Sequence, residues 1–266
     1  MSEENYDNMP QEDMEYSIAS QLAYDYYDSN NNAEETQKKL DTYIEGYKFD
    51  PEYSNNNAST IVRPDGSAIL AFRGTRITNP DDINADAAIL AGQHRTNIPH
   101  PRFIEANNHY NFVKSKYTNL DITGHSLGGT IADYIGRINN ERTIVFNPGE
   151  TPFSSNIIGE SNTRIYRTDT HDLVSFSNSM YPHAKSIRVV PQTDPLSSWL
   201  GSHNLTNFLP TLDMLPLSTE SQIITPIQET KKEIKEELII QNIICEEQPY
   251  LEICKNYKPK LKKQSV

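Results

Sequence analysis

In Gly124-His125-Ser126-Leu127-Gly128-Gly129, a glycine stands two residues to either side of a serine, after a short apolar run and before a run of helical period. A serine hydroxyl is a poor nucleophile at neutral pH; it needs a base within reach, an exposed position and donors for the oxyanion that forms. A sharp strand-to-helix turn meets two of these needs. It lifts Ser126 off the end of a sheet and aims the Leu127 N–H, at the start of a helix, toward the reacting oxygen. Glycines at 124 and 128 remove side chains that would collide across so tight a turn. The chemistry this pattern suits is acyl transfer to Ser126.

The turn requires a strand before it and a helix after it, and the pattern predicts both. Residues 120–123 read as a short strand, and from Leu127 onward Ile131, Ile135 and Ile138 recur at helical spacing. Upstream, residues 59–63 and 68–72 flank Pro64-Asp65-Gly66-Ser67 and read as a hairpin, its second arm apolar throughout as in a central strand. Helices are predicted over 17–27, with Ile18, Leu22 and Tyr26 on one face, and over 102–117; further strands over 143–146, 164–168 and 186–190. Strands alternating with helices predict an α/β fold, a mostly parallel central sheet covered by helices on both faces. Residues 1–15 read as a frayed acidic start, and the clusters Asn30 to Asn32 and Asn55 to Asn57 as surface loops without chemistry. Beyond about residue 210 the character changes: Thr225-Pro226-Ile227-Gln228 has the form of a capped helix start leading into a charged amphipathic helix over 229–245. The chain thus divides into an acidic start (1–15), one α/β domain (16–210) and a linker with a charged helical extension (211–266).

With Ala71-Phe72-Arg73-Gly74-Thr75 about fifty residues upstream, the serine motif resembles the class 3 lipases, the fungal-lipase-like branch of the α/β-hydrolases. The resemblance spans roughly residues 16–208, and its specific parts are the Ser126 and Thr75 motifs. It implies an α/β-hydrolase-type sheet and an oxyanion hole in which the Thr75 N–H stands beside the Leu127 N–H. A triad on this fold runs serine, acid, histidine along the chain. Of the seven histidines, His94, His100 and His109 precede the serine, and His125 lies inside the turn, where it does not easily reach its neighbour's oxygen. His171 adjoins the acid candidates. His203, in Gly201-Ser202-His203-Asn204-Leu205, matches the family's histidine by position, with His183 the alternative. Asp172, in His171-Asp172-Leu173-Val174, is similar to the family's Asp-x-Val, with Asp169 the alternative. The implied roles are Asp172 orienting His203, His203 taking the proton from Ser126, and Thr75 with Leu127 holding the oxyanion. The interval from Asp172 to His203 is shorter than in many members, which suggests a trimmed end of the sheet, and 226–266 matches no part of the family.

The expected activity is hydrolysis of acyl esters of glycerolipids through an acyl-enzyme. Triacylglycerol lipase, phospholipase A1 and small-ester esterase are not separated by the sequence, and the rival from another class is a catalytically silent α/β-hydrolase serving as a scaffold. Asp86-Ala87-Ala88-Ile89-Leu90-Ala91-Gly92 could cover an acyl pocket or be an ordinary packed helix. The sequence contains no metal-ligand cluster or nucleotide loop, so water is the expected second substrate and no cofactor is expected. A formal net charge of −12 disfavours nucleic acid and general attraction to anionic lipid, although Lys255, Lys258, Lys260, Lys262 and Lys263 run against that trend. No segment approaches the ~20 apolar residues of a membrane helix, and residues 1–10 lack a secretory signal. The expectation is a cytoplasmic protein with transient contact at a membrane or lipid-droplet surface, and with Cys245 and Cys254 reduced.

Overall fold

The structure is a computed structural model; it describes residues 9–75, 101–149, 162–168, 185–192, 203 and 205–210, together with the backbone of 3–5. Among these residues the strands are β1 (Glu3–Asn5), β2 (Lys48–Phe49), β3 (Ala58–Val62), β4 (Ala68–Phe72), β5 (Leu120–His125), β6 (Thr143–Phe146), β7 (Thr163–Thr168) and β8 (Ser186–Val190). The α-helices are α1 (Met14–Asp28), α2 (Ala33–Tyr43), α3 (Pro101–Lys116) and α4 (Leu127–Asn139). The strands form one sheet in the order β1-β8-β7-β6-β5-β4-β3-β2. The β2–β3 and β3–β4 pairs are antiparallel, and every pair from β4 across to β1 is parallel.

This is the mixed, mostly parallel α/β sheet that the strand–helix alternation predicts, and its two faces are covered by different helices. Ile69 and Ala71 of β4, with Ile144 and Phe146 of β6, pack under α1. The alternate residues Ala68, Leu70 and Phe72, with Val145, pack under α3 and α4. A strand covered on both sides has no polar face to show, which is why β4 reads as a continuous apolar run.

Helix α1 runs beside β5 in the same direction and touches it at three polar rungs. Tyr16 Oη donates to Asp121 Oδ2 (2.7 Å), Ser20 Oγ meets Thr123 Oγ1 (3.1 Å), and Tyr24 Oη meets His125 Nδ1 (3.1 Å). Four residues of helix rise about 6 Å and two residues of strand about 6.6 Å, so a stripe at i, i+4, i+8 stays in step with alternate strand residues.

Two expectations are revised and one is refined. The acidic start is bound at its C-terminal part: Asp13 is fully buried, ion-paired with Arg164 and accepting from Arg188 Nη1 at 3.1 Å, because the start of α1 meets arginines on β7 and β8. The asparagines of 30–32 form the exposed loop expected of them, and they also punctuate the helices: Asn30 and Asn31 take positive φ after α1, and Asn32 caps α2 by accepting from the Glu35 N–H at 3.2 Å. Ile131 and Ile135 are buried, whereas Ile138 is 42% exposed, because α4 meets the sheet through small residues, Gly128 against Phe72 and Gly136 against Thr143. Among the described residues no helix is long and apolar enough to cross a membrane. The charged extension, its cysteines and the segment 86–92 lie outside the described residues.

Candidate active site

Strand β5 ends at His125 and α4 begins at Leu127, so the whole reversal falls on Ser126, whose backbone stands at φ 57° and ψ −128°. That region disfavours any residue with a Cβ, and holding one there costs about 1–3 kcal/mol. Neighbouring bonds keep it in place. The Ser126 N–H donates to the Phe146 carbonyl of β6 (3.1 Å), and the Ser126 carbonyl accepts from the Thr130 N–H (3.0 Å). The flanking glycines allow the close approaches. A Cβ on Gly124 would strike the Gly128 backbone, and one on Gly128 would strike the Phe72 carbonyl and lie 2.7 Å from the carbonyl carbon of Arg73. The entry of α4 therefore rests directly on the end of β4.

The chain leaving β4 is Arg73-Gly74-Thr75, and it is anchored by an arginine with no exposed surface. Arg73 Nε donates to the Asn56 carbonyl (2.7 Å), Nη1 to the Gly74 carbonyl (2.9 Å) and Nη2 to Asn57 Oδ1 (3.2 Å), with the guanidinium 4.2 Å from the Tyr27 ring centroid. Arg102 Nη2 adds a bond to the Arg73 carbonyl (3.2 Å). The Asn55 to Asn57 cluster, read from sequence as a loop without chemistry, is thus the cradle for Arg73. A Cβ on Gly74 would lie 2.7 Å from the His125 carbonyl and run into the Tyr24 hydroxyl. The turn bearing Thr75 and the turn bearing Ser126 are in contact, and the Leu127 N–H is one of the first-turn amides that have no acceptor within their own helix.

His203 comes to this point from far along the chain, its Nε2 2.9 Å from Ser126 Oγ. For the hydroxyl to donate to Nε2, that nitrogen must carry the lone pair and Nδ1 the proton. The carbonyl of His203 is itself held: His125 Nε2 lies 2.7 Å from it, and the two imidazole centroids are 4.9 Å apart. His125, set aside in the sequence because it does not reach the serine oxygen, instead supports the other histidine. Its second nitrogen meets the Tyr24 hydroxyl, so a line of contacts runs from α1 to His203.

Of the residues picked out by sequence, the structure gathers Gly124, His125, Ser126, Leu127 and Gly128 with Thr75 and His203 at the C-terminal ends of β4 and β5. Asp172 and Asp169, the acid candidates, and His183 lie outside the described residues. Among the described residues no three His, Cys, Asp or Glu side chains gather as metal ligands would. Tyr24 was missed; the signal available was Tyr16, Ser20 and Tyr24 at spacings of four on the face of α1 turned from Ile18 and Leu22. Against known proteins, the chain matches no family model and no curated protein.

Proposed function

We propose that the chain is a serine carboxylic-ester hydrolase of the α/β-hydrolase type, akin to the fungal-lipase-like class 3 lipases, that cleaves acyl esters of glycerolipids. One observation carries the reading: an imidazole nitrogen 2.9 Å from the hydroxyl of a serine whose backbone is strained at a strand-to-helix turn. An α/β sheet alone would not support it, since such sheets host many activities.

Ser126 Oγ bonds to the ester carbonyl carbon as its proton passes to His203 Nε2, and the carbonyl π pair moves onto oxygen. The N–H groups of Leu127 and Thr75 receive that oxyanion. Its collapse restores the carbonyl, breaks the bond to the alkoxy oxygen and leaves the acyl group on Ser126; the departing alcohol takes the proton from His203. Water then attacks the acyl-enzyme, giving one proton to His203. The second collapse releases the carboxylic acid, and His203 returns the proton to Ser126. Asp172 is the acid assigned to His203 Nδ1, with no cofactor required. The preference for lipid esters rests on the resemblance of the Arg73-Gly74-Thr75 and Gly124 to Gly128 turns to the lipase motifs.

A series of p-nitrophenyl esters from acetate to palmitate, with dioctanoylglycerol and phosphatidylcholine vesicles alongside, tests both parts. Activity rising with chain length and absent in Ser126→Ala supports the proposal. Folded wild-type protein that hydrolyses none of them would favour the silent scaffold.

A further inference from the structure

We infer that Tyr24 and His125 form a strut that sets the position of His203, so that they act as positioning residues for the base of this site; the inference rests on the hydrolase reading above. A carbonyl oxygen only accepts, so the 2.7 Å contact to the His203 carbonyl requires a proton on His125 Nε2. In the neutral ring Nδ1 then holds the lone pair and accepts from Tyr24 Oη at 3.1 Å. Tyr24 comes from the third rung of the α1–β5 contact and also abuts Gly74, so the same hydroxyl underlies both turns of the site. Both side chains are buried, Tyr24 at 7% and His125 at 7% exposure, so the donor reaching His203 is held on a packed base.

The geometry also explains why a histidine suits position 125. Its backbone closes β5 beside Ser126 while its ring reaches back to the residue that faces Ser126 from the other side. One residue therefore couples nucleophile and base: His125 is covalently joined to Ser126 and hydrogen-bonded to the backbone of His203. Loss of the bond frees the His203 backbone, and a displacement of about 1 Å between reacting groups lowers turnover by about 10²-fold.

The test compares wild type with His125→Phe, which keeps a ring and removes the donor, His125→Gln, whose Nε2 can place a donor near the same point, and Tyr24→Phe. Each is assayed for kcat and KM on p-nitrophenyl butyrate and for amide exchange over residues 205–209. The expected result is kcat down about 30-fold in His125→Phe with KM within about twofold, most of the loss recovered in His125→Gln, and a fall of about fivefold in Tyr24→Phe. Wild-type kcat in His125→Phe, or a His125→Gln as impaired as His125→Phe, overturns the strut. A wild type that is neither active nor labelled at Ser126 by a fluorophosphonate refutes the hydrolase reading. The exchange data then decide the strut alone: faster exchange over 205–209 in His125→Phe than in His125→Gln supports it, and equal rates overturn it.

Discussion

The two ends of the sheet are built from opposite materials. At the C-terminal ends of β4 and β5 stand a strained serine, glycines in backbone contact, histidines bonded to hydroxyl and carbonyl groups, and the buried Arg73, whose guanidinium bonds to carbonyl and amide oxygens with no carboxylate among these described partners. At the other end, carboxylates of the α1 region meet arginines on or just beyond the strands. Arg63 Nε and Nη2 grip Glu15 at 2.9 and 2.7 Å, and Nη2 also reaches Asp121 at 2.6 Å. Asp13 binds Arg164 and Arg188 and accepts from Tyr166. Burial and the nearby Asp121 charge push the Tyr16 phenol well above the usual tyrosine range, keeping it a neutral donor in this network. The ionic end fixes α1 along β5, and the same helix delivers Tyr24 to the strained end two turns further on.

Replacing chemistry at the strained end should have the largest effect. Ser126→Ala and His203→Ala should each lower kcat/KM by at least about 10³-fold in ester hydrolysis, with thermal unfolding nearly unchanged. Gly128→Ala forces a Cβ into the Phe72 carbonyl and should cost about 10²-fold in kcat by parting the two turns. The contrast sharpens at the ionic end: Arg63→Leu removes the cation from two partly buried carboxylates, which keep the Tyr16 and Tyr47 hydroxyls, and should lower stability by about 2–3 kcal/mol in urea unfolding, while kcat/KM below the transition stays within about threefold. Ser126→Gly should do the reverse, abolishing turnover while raising stability by about 1 kcal/mol, since glycine accepts φ 57° without strain.

The smallest effect concerns pH. Burial holds the His109 imidazole below the usual histidine range, so the folded protein binds this proton less readily than the unfolded chain. Its contribution to stability is complete above the unfolded pKa of about 6.5 and is lost as pH falls through that value toward the folded one. His109→Gln should flatten the fall of Tm between about pH 7 and pH 5.

The repeating parts of this fold were legible because they repeat. The β3–β4 hairpin, β6, β8 and the start of α4 fall where period and turn residues put them. What could not be read depends on partners distant in sequence. Asp13 and Glu15 look like solvated acids until Arg63, Arg164 and Arg188 are brought to them. Asn56 and Asn57 look like loop filler until Arg73 lies against their oxygens. At the site, Ser126 was legible from its glycines, because close backbone approach leaves a local mark. The work of His125 was not, since its acceptor lies 78 residues away in the chain.

The central claim is that Ser126 is a nucleophile activated by His203. The most direct measurement is reaction of the folded protein with a fluorophosphonate ester, with the modified residue mapped by mass spectrometry in wild type, Ser126→Ala and His203→Ala. Stoichiometric modification at Ser126 in wild type, lost in both variants, is the predicted result. Labelling at another residue, or at Ser126 undiminished in His203→Ala, would contradict it.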